Sequence, residues 1–199
     1  MVSEVGRAYS ERSAEYIELF GSTDSAHPLD RQLVATWADG LSGPVVDAGC
    51  GPGQWTDFLV RHGCDARGVD QVPSFVERAQ GTYPGVHFEV GSIEELRDAS
   101  GTAGGVLAWY SLIHHEPSAV QAPLREFARV LRPGAGLLVG LFTWPTVERF
   151  DHAVVSAYRW PLDEFAQELR TAGFEVLETH ERIQTGARPL GAIVARHQG

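Results

Sequence analysis

Short apolar runs alternate with amphipathic segments from residue 45 to residue 143. The apolar runs are rich in valine and leucine, which is typical of buried strands. They are Val45–Ala48, Ala66–Val69, Val86–Val90, Val106–Tyr110 and Leu137–Phe142. The segments between them that have helical spacing are Thr56–Arg61, Ser74–Gln80, Ile93–Leu96 and Ala119–Leu131. Strands and helices that alternate in this way predict a parallel sheet with helices on both faces.

The pattern changes near the end of the chain. An amphipathic helix is predicted over Leu162–Ala172, and two strands follow at Phe174–Thr179 and Leu190–Ala195. The connection between these strands, about ten residues without helical spacing, is at the lower limit for a parallel crossover. We therefore expect an antiparallel final pair. The predicted fold is an α/β three-layer sandwich with a mostly parallel seven-stranded sheet and an antiparallel last strand.

Amphipathic segments also precede the first strand. Helical spacing over Tyr9–Phe20 and Leu33–Leu41 predicts that residues 1–42 form a helical cover. No linker or internal repeat divides the 199 residues, a length that suits one domain.

The charge pattern limits the partners. The net charge is −10 and the 16 basic residues, all of them arginine, are scattered singly, which argues against a nucleic-acid partner. The longest apolar run, Leu137–Phe142, is too short to span a membrane. The two cysteines have no metal-ligand spacing and imply no disulfide framework, in agreement with a reducing compartment. We expect a cytoplasmic monomer or homodimer with no membrane partner.

The densest chemical signal is a glycine-rich turn after the first strand. Asp47 lies near the end of the strand, and Gly49, Gly51 and Gly53 alternate through the turn. A glycine has no Cβ, so a ligand can lie directly against the peptide groups, and the helix that follows offers unpaired N–H groups to an anion. Dinucleotide-binding turns have glycine or alanine three positions after the second glycine, where this chain has Gln54.

This turn resembles motif I of the class I S-adenosylmethionine-dependent methyltransferases, and the order of later segments extends the resemblance to Val176. The family also ends its seven-stranded sheet with an antiparallel pair. The resemblance implies S-adenosyl-L-methionine as the cofactor, S-adenosyl-L-homocysteine as its product and a small-molecule acceptor. The cofactor contacts that it carries over to the turn are Asp47, Ala48, Gly49, Gly51, Gly53 and Gln54.

Asp70 ends the second strand, about one strand-helix unit after the glycine turn. A carboxylate in this position can accept hydrogen bonds from both hydroxyls of a ribose. Dinucleotide enzymes use the same device, so Asp70 indicates an adenosine cofactor without deciding which. The alternative is that Asp70 caps the helix that follows. Gln71 and Val72 are expected to flank the ribose.

The segment after the third strand resembles the adenine-contacting loop of the family. Many members have an aspartate where this chain has Ser92, which can accept the bond from the adenine amine more weakly. Gly91 precedes it, and the Ile93 N–H can serve a ring nitrogen. Alternatively, Ser92 caps a helix with Glu95 at capping-box spacing, and one serine could do both.

The segment Leu107–Pro117 is expected to face the glycine turn, because open parallel sheets bind ligands at the carboxyl ends of their strands. The resemblance places Tyr110 and Ser111 against the methyl donor. His114 or His115 is a candidate general base, since imidazole titrates near neutral pH. The alternative is that both histidines pack or anchor the loop and that positioning alone drives the reaction. No metal site is expected, because adjacent side chains point in different directions.

Two segments are candidates for covering the ligands. Tyr9 resembles a tyrosine that many members place on the cofactor carboxylate. Residues 143–161 form the predicted acceptor lid, in which Trp144, Tyr158 and Trp160 are expected to contact the acceptor. Packing is the alternative in both cases. The arginines near these aromatics are isolated, so the lid does not predict an anionic acceptor.

These observations predict an S-adenosylmethionine-dependent methyltransferase that acts on a small molecule. A nicotinamide-dependent oxidoreductase is a second possibility, disfavoured by Gln54 and by the glycine spacing. A methyltransferase-like scaffold without catalysis is a third. The intact Asp47, glycine triad and Asp70 count against it.

Overall fold

The computed structural model describes residues 4–12, 22–23 and 26–199. Its helices are α1 (Glu4–Glu11), α2 (Pro28–Asp39), α3 (Gln54–Arg61), α4 (Pro73–Thr82), α5 (Gln121–Val130) and α6 (Leu162–Thr171). Most of the predicted segment Tyr9–Phe20 lies outside the described residues. None of the helices in the described ranges is long and apolar enough to cross a lipid bilayer.

The strands form one sheet. They are β1 (Val45–Ala48), β2 (Ala66–Asp70), β3 (His87–Val90), β4 (Ala103–Trp109), β5 (Leu131–Thr143), β6 (Glu148–Phe150), β7 (Ala157–Trp160), β8 (Phe174–Arg182) and β9 (Leu190–His197). The first five strands lie in the order β3-β2-β1-β4-β5 and pair in parallel. β9 pairs antiparallel with both β5 and β8. The predicted fold class and the antiparallel final pair are confirmed, but the sheet has nine strands instead of the predicted seven.

Alternation along the central strands builds the three layers. In β4, Val106 faces a core that includes Phe127 of α5, and the next residue, Leu107, faces a core that includes Trp37 of α2 and Leu59 of α3. Successive side chains of a strand point to opposite faces of the sheet. Because both faces are covered, the central strands are mostly apolar, and Asp47 of β1 is a buried exception.

Two parts of the pattern were not predicted. The lid segment folds as the hairpin β6–β7, whose second strand runs parallel to the last residues of β5. The predicted helix over Ile93–Leu96 is wrong, because these residues form a turn. The Ser92 Oγ accepts the Glu94 N–H at 3.1 Å and the Leu96 N–H donates to the Glu126 carboxylate at 2.6 Å, so tertiary contacts take the place of helical hydrogen bonds.

β4 begins three residues before the predicted strand. The sequence pattern missed these residues because they include glycine. At Gly104 the segment before β1 passes so close that a Cβ would overlap the carbonyl oxygen of Ser42. The apolar pattern alone does not reveal this strand extension, since glycine is ordinarily a weak strand residue.

We predict that Gly104→Ala lowers the free energy of unfolding by about 1–3 kcal/mol, because backbone atoms must move to admit the methyl group. Gly81→Ala is the control, since a Cβ at this position of α4 meets no atom within 4 Å. It should leave the stability unchanged or raise it by up to about 1 kcal/mol. Urea denaturation followed by circular dichroism measures both. Equal stability of the two variants would contradict the close approach at Gly104.

Candidate active site

Two cavities meet at the carboxyl ends of the parallel strands. The first chamber, about 820 Å³, lies over the ends of β1 to β4 and reaches α1. The second chamber, about 460 Å³, is bounded by the start of α2, the end of β5 and the connection between β8 and β9. The residues that line both are Tyr9, Gly49, Gly51, Trp109 and Tyr110. Both chambers therefore lie at the edge of the sheet that the sequence predicts for ligand binding.

The glycines of the turn serve two different purposes. All three have positive φ, +79° at Gly49, +54° at Gly51 and +90° at Gly53. Gly49 and Gly51 line both chambers. Gly53 lines neither, and a Cβ there would lie 2.8 Å from that of Ala79, so its role is close packing of the turn on α4. Ala48 is likewise fully buried in the core, away from both chambers.

Asp47 lies in the floor of the second chamber and is almost completely buried. Its carboxylate accepts a hydrogen bond from the Thr56 hydroxyl at 2.7 Å, which attaches β1 to α3. Burial is the main cause that raises the pKa of Asp47 to about 7, and the nearby Asp70 adds to it. Gln54 lies beside it in the chamber wall.

Asp70 joins the glycine turn to the end of β2. One carboxylate oxygen accepts the Gly51 N–H and the other accepts the Val72 N–H, both at 2.8 Å. Burial raises the pKa of Asp70 to about 6, against these two hydrogen bonds, which lower it. The carboxylate also lines the first chamber, together with Gln71 and Val72. Asp70 thus stabilises the turn and faces the cavity at once.

The turn after β3 forms another wall of the first chamber. Gly91, Ser92 and Ile93 all line it, as predicted for an adenine-contacting loop. The Ser92 hydroxyl is already engaged with the Glu94 N–H. A side-chain hydroxyl retains acceptor capacity beside one such bond, so both predicted roles of Ser92 are compatible with its position.

Tyr110 is held in a conformation that is rare for its residue type, with φ +58°. Its ring lies between Trp109 and Phe142, at centroid distances of 5.4 and 5.3 Å. The backbone conformation places the ring at the junction of the chambers, and strain of this kind is characteristic of functional sites. The next residue, Ser111, lies against Gly49 in the first chamber.

His114 uses both ring nitrogens within the protein. Its Nδ1 lies 3.0 Å from the Ser156 carbonyl oxygen, which can only accept a hydrogen bond, so Nδ1 carries the proton. Burial lowers the pKa of His114, so the ring is neutral and Nε2 accepts from the Tyr9 hydroxyl at 2.8 Å. This arrangement favours the predicted anchoring role over that of a general base, and it fixes Tyr9 over the cavity.

His115 points toward the other end of the first chamber. Its Nε2 lies 3.1 Å from the Glu94 carboxylate. Neither His115 nor His114 lines the second chamber, whereas His152 does. Burial, and then the neighbouring His114 and Arg188, lower the pKa of His152 to about 4, so its ring is neutral at pH 7.

The three aromatic residues predicted to contact the acceptor line neither chamber. Trp160 is 5% exposed and packs against Phe165, because β7 adds to the sheet and turns this side chain into the core. Trp144 stacks under Arg159 at 3.7 Å, on the outside of the hairpin. Tyr158 packs against the main core. The lid's contributions to the second chamber are Phe142, just before it, and His152.

Sequence reasoning missed the polar wall of the second chamber. Asp30 at the start of α2 pairs with Arg182 at the end of β8 at 2.7 Å, and Arg188 lines the same chamber. The two partners are separated by 152 positions, so no local spacing could reveal the pair. Among the residues that the structure describes, no group of three or more His, Cys, Asp or Glu side chains is arranged to hold a metal ion.

Comparisons with known proteins agree with this geometry. Residues 45–134 match the family model of a methyltransferase domain. A ubiquinone biosynthesis O-methyltransferase from Hahella chejuensis is 32% identical over 97 residues, 47% of this chain and 40% of that protein. A trans-aconitate 2-methyltransferase from Methylobacterium nodulans is 37% identical over 101 residues, 48% of this chain and 36% of that protein. The chain thus aligns with less than half the length of either relative.

A solved structure shares the whole fold. The 1,6-didemethyltoxoflavin-N1-methyltransferase of Burkholderia thailandensis, crystallised with 1,6-didemethyltoxoflavin and S-adenosylhomocysteine, matches 100% of this chain and 91% of its own with a TM-score of 0.78. At 22% identity this likeness establishes the fold alone.

The fold is that of this solved methyltransferase. Within this chain, residues 45–134 match a methyltransferase domain. The resemblance predicted from the glycine turn is confirmed.

The buried Asp47 predicts a pH-dependent stability. Its pKa rises from the ordinary 3.8 to about 7 in the folded protein, so the folded state holds a proton that the unfolded state has released. The free energy of unfolding should therefore decrease as the pH is raised from about 4 to about 7. Between pH 5 and pH 7.5 this one group accounts for on the order of 2 kcal/mol.

Urea denaturation of the wild type and of Asp47→Asn at these two pH values isolates this effect. The asparagine cannot ionise, yet its carbonyl oxygen can still accept from Thr56. We expect the loss of stability at the higher pH to be smaller in the variant. An equal loss in both proteins would contradict the raised pKa of Asp47.

Proposed function

We propose that this protein is an S-adenosylmethionine-dependent methyltransferase that acts on a small-molecule acceptor. The observation that carries the proposal is the pair of chambers, which meet at Gly49, Gly51 and Tyr110. A donor in the first chamber and an acceptor in the second would meet at this junction. Both volumes lie within or close to the range of small-molecule sites.

The residues of the first chamber fit the cofactor. Gly49 and Gly51 leave the peptide groups open to its amino-acid portion, and Asp70 faces the position of its ribose. Each oxygen of Asp70 already accepts one N–H but has capacity for a further bond from a ribose hydroxyl. The turn at Ser92 and Ile93 would hold the adenine.

When bound in the first chamber, the cofactor would supply an electrophilic methyl group to a nucleophilic atom of the acceptor, with the electron pair of the broken bond left on sulfur and the acceptor's proton released to solvent. The chain's contribution is to position the acceptor and exclude water. Tyr9, fixed by His114, and Tyr110, fixed by its backbone, would form the walls at the reaction point. In this proposal positioning alone drives the reaction, and His114 does not act as the general base.

The outer segments would serve as covers. Residues 1–42 contribute α1 and α2 to the chamber walls, and the hairpin within residues 143–161 contributes His152. Both cysteines are free, which supports a cytoplasmic location. A monomer or homodimer stays a prediction.

Titration calorimetry tests the cofactor directly. We expect saturable binding of S-adenosylhomocysteine and no binding of NAD. The space beside Gly51 opens into the second chamber, whereas a dinucleotide would need a site for its pyrophosphate at this point. Binding of NAD alone would support the oxidoreductase alternative, and binding of neither would support the scaffold. A methylation screen of metabolites with labelled cofactor would then identify the acceptor.

We predict that Asp70→Ala weakens S-adenosylhomocysteine binding by about 10- to 100-fold, through loss of charged hydrogen bonds. It should also destabilise the protein, because the Gly51 and Val72 N–H groups lose their acceptor. Glu77→Ala removes an exposed carboxylate from the helix that follows and serves as the control. Calorimetry at a temperature where circular dichroism shows both variants folded measures the affinities. Unchanged affinity in Asp70→Ala would refute the ribose contact.

A further inference from the structure

One wall of the second chamber is aromatic and lies next to the lid. Phe142 is central, with its ring centroid 5.3 Å from Tyr110, 5.3 Å from Phe150 and 5.8 Å from His152. Aromatic rings that surround a cavity of about 460 Å³ favour a flat apolar body over an extended polar chain.

Arg188 lies at the edge of this aromatic cluster. Its guanidinium carbon is 5.0 Å from the ring centroid of Phe150 and 5.9 Å from that of Phe142. One of its amino groups is 3.4 Å from the Asp151 carbonyl oxygen, the hydrogen bond that the structure shows for this side chain. Arg188 is exposed and lines the chamber, so its remaining donors are available to a ligand.

Two other arginines nearby are already neutralised. Arg182 forms an ion pair with Asp30 at 2.7 Å, and Arg159 pairs with Glu148 at 2.9 Å. Within residues 4–12, 22–23 and 26–199, no carboxylate oxygen lies within ion-pair distance of Arg188. Of the two arginines that line the second chamber, Arg188 is therefore the one without an acidic partner in these ranges.

The groups that face Arg188 do not compete for it. Asp30 is held by Arg182, Asp47 is held by Thr56, and His152 is neutral at pH 7. An anion that enters the chamber would meet one unneutralised guanidinium beside two aromatic rings. A guanidinium binds a carboxylate through two parallel hydrogen bonds, while its flat face can still lie against a ring.

We propose that the acceptor is a planar aromatic or heteroaromatic molecule that carries a carboxylate, with Arg188 as the residue that selects the charge. This inference rests on the proposed function, since it assigns the second chamber to the acceptor. The ring lies against Phe142, the carboxylate pairs with Arg188 at the mouth, and the opposite edge of the molecule points toward the junction at Tyr110.

A matched pair of probes tests the charge preference. 4-Hydroxybenzoate and 4-hydroxybenzamide share the ring and hydroxyl and differ in charge. Calorimetric titration of each into the protein saturated with S-adenosylhomocysteine should show the acid binding at least about tenfold more tightly. Arg188→Gln should bring the two affinities to within about twofold, and Arg188→Lys should retain part of the preference.

Arg149→Gln is the matched control, because Arg149 is an exposed arginine of β6 that lines neither chamber. It should keep the full preference for the acid. S-adenosylhomocysteine affinity, measured first for every variant, should stay within about threefold of the wild type. Equal binding of acid and amide, binding of neither, or a preference that survives Arg188→Gln would overturn the proposal while the proposed function stands. Failure of S-adenosylhomocysteine itself to bind would overturn both.

Discussion

The site depends on one carboxylate that holds two loops together. Asp70 accepts the Gly51 N–H with one oxygen and the Val72 N–H with the other, so the turn after β1 and the loop after β2 are fixed by a single side chain. A buried carboxylate with two backbone donors is costly to desolvate and costly to remove. The raised pKa of Asp70 reflects this balance, because burial outweighs the two hydrogen bonds.

The local parts of the site could be predicted from the sequence because their geometry is local. In the turn from Asp47 to Gln54, glycines stand at the positions where the backbone needs a positive φ. Gly49, Gly51 and Gly53 all have one. The alternation of strands and helices predicted a parallel sheet, since parallel strands need crossovers. The turn at Ser92 could not be assigned in the same way, because the hydrogen bond from Leu96 to Glu126 comes from a distant helix.

The second chamber could not be predicted from the sequence, because its walls depend on contacts between distant segments. Aromatic content alone marked the lid, but whether a ring faces a cavity or the core depends on how the hairpin joins the sheet. β7 pairs with the end of β5, and this pairing buries Trp160 while it leaves Phe142 and His152 at the cavity. The ion pair between Asp30 and Arg182 unites residues from opposite ends of the chain, a relation that spacing does not encode.

The position of the Asp30–Arg182 ion pair in the sequence also bears on where related proteins can differ. The stretch that matches other methyltransferases, residues 45–134, contains all the residues that line the first chamber except Val5 and Tyr9, whereas Asp30, Phe142, His152, Arg182 and Arg188 of the second chamber fall outside it. Substitutions in these flanks can reshape one cavity without touching the loops that Asp70 organises. Similarity over residues 45–134 therefore describes the first chamber better than the outer wall of the second.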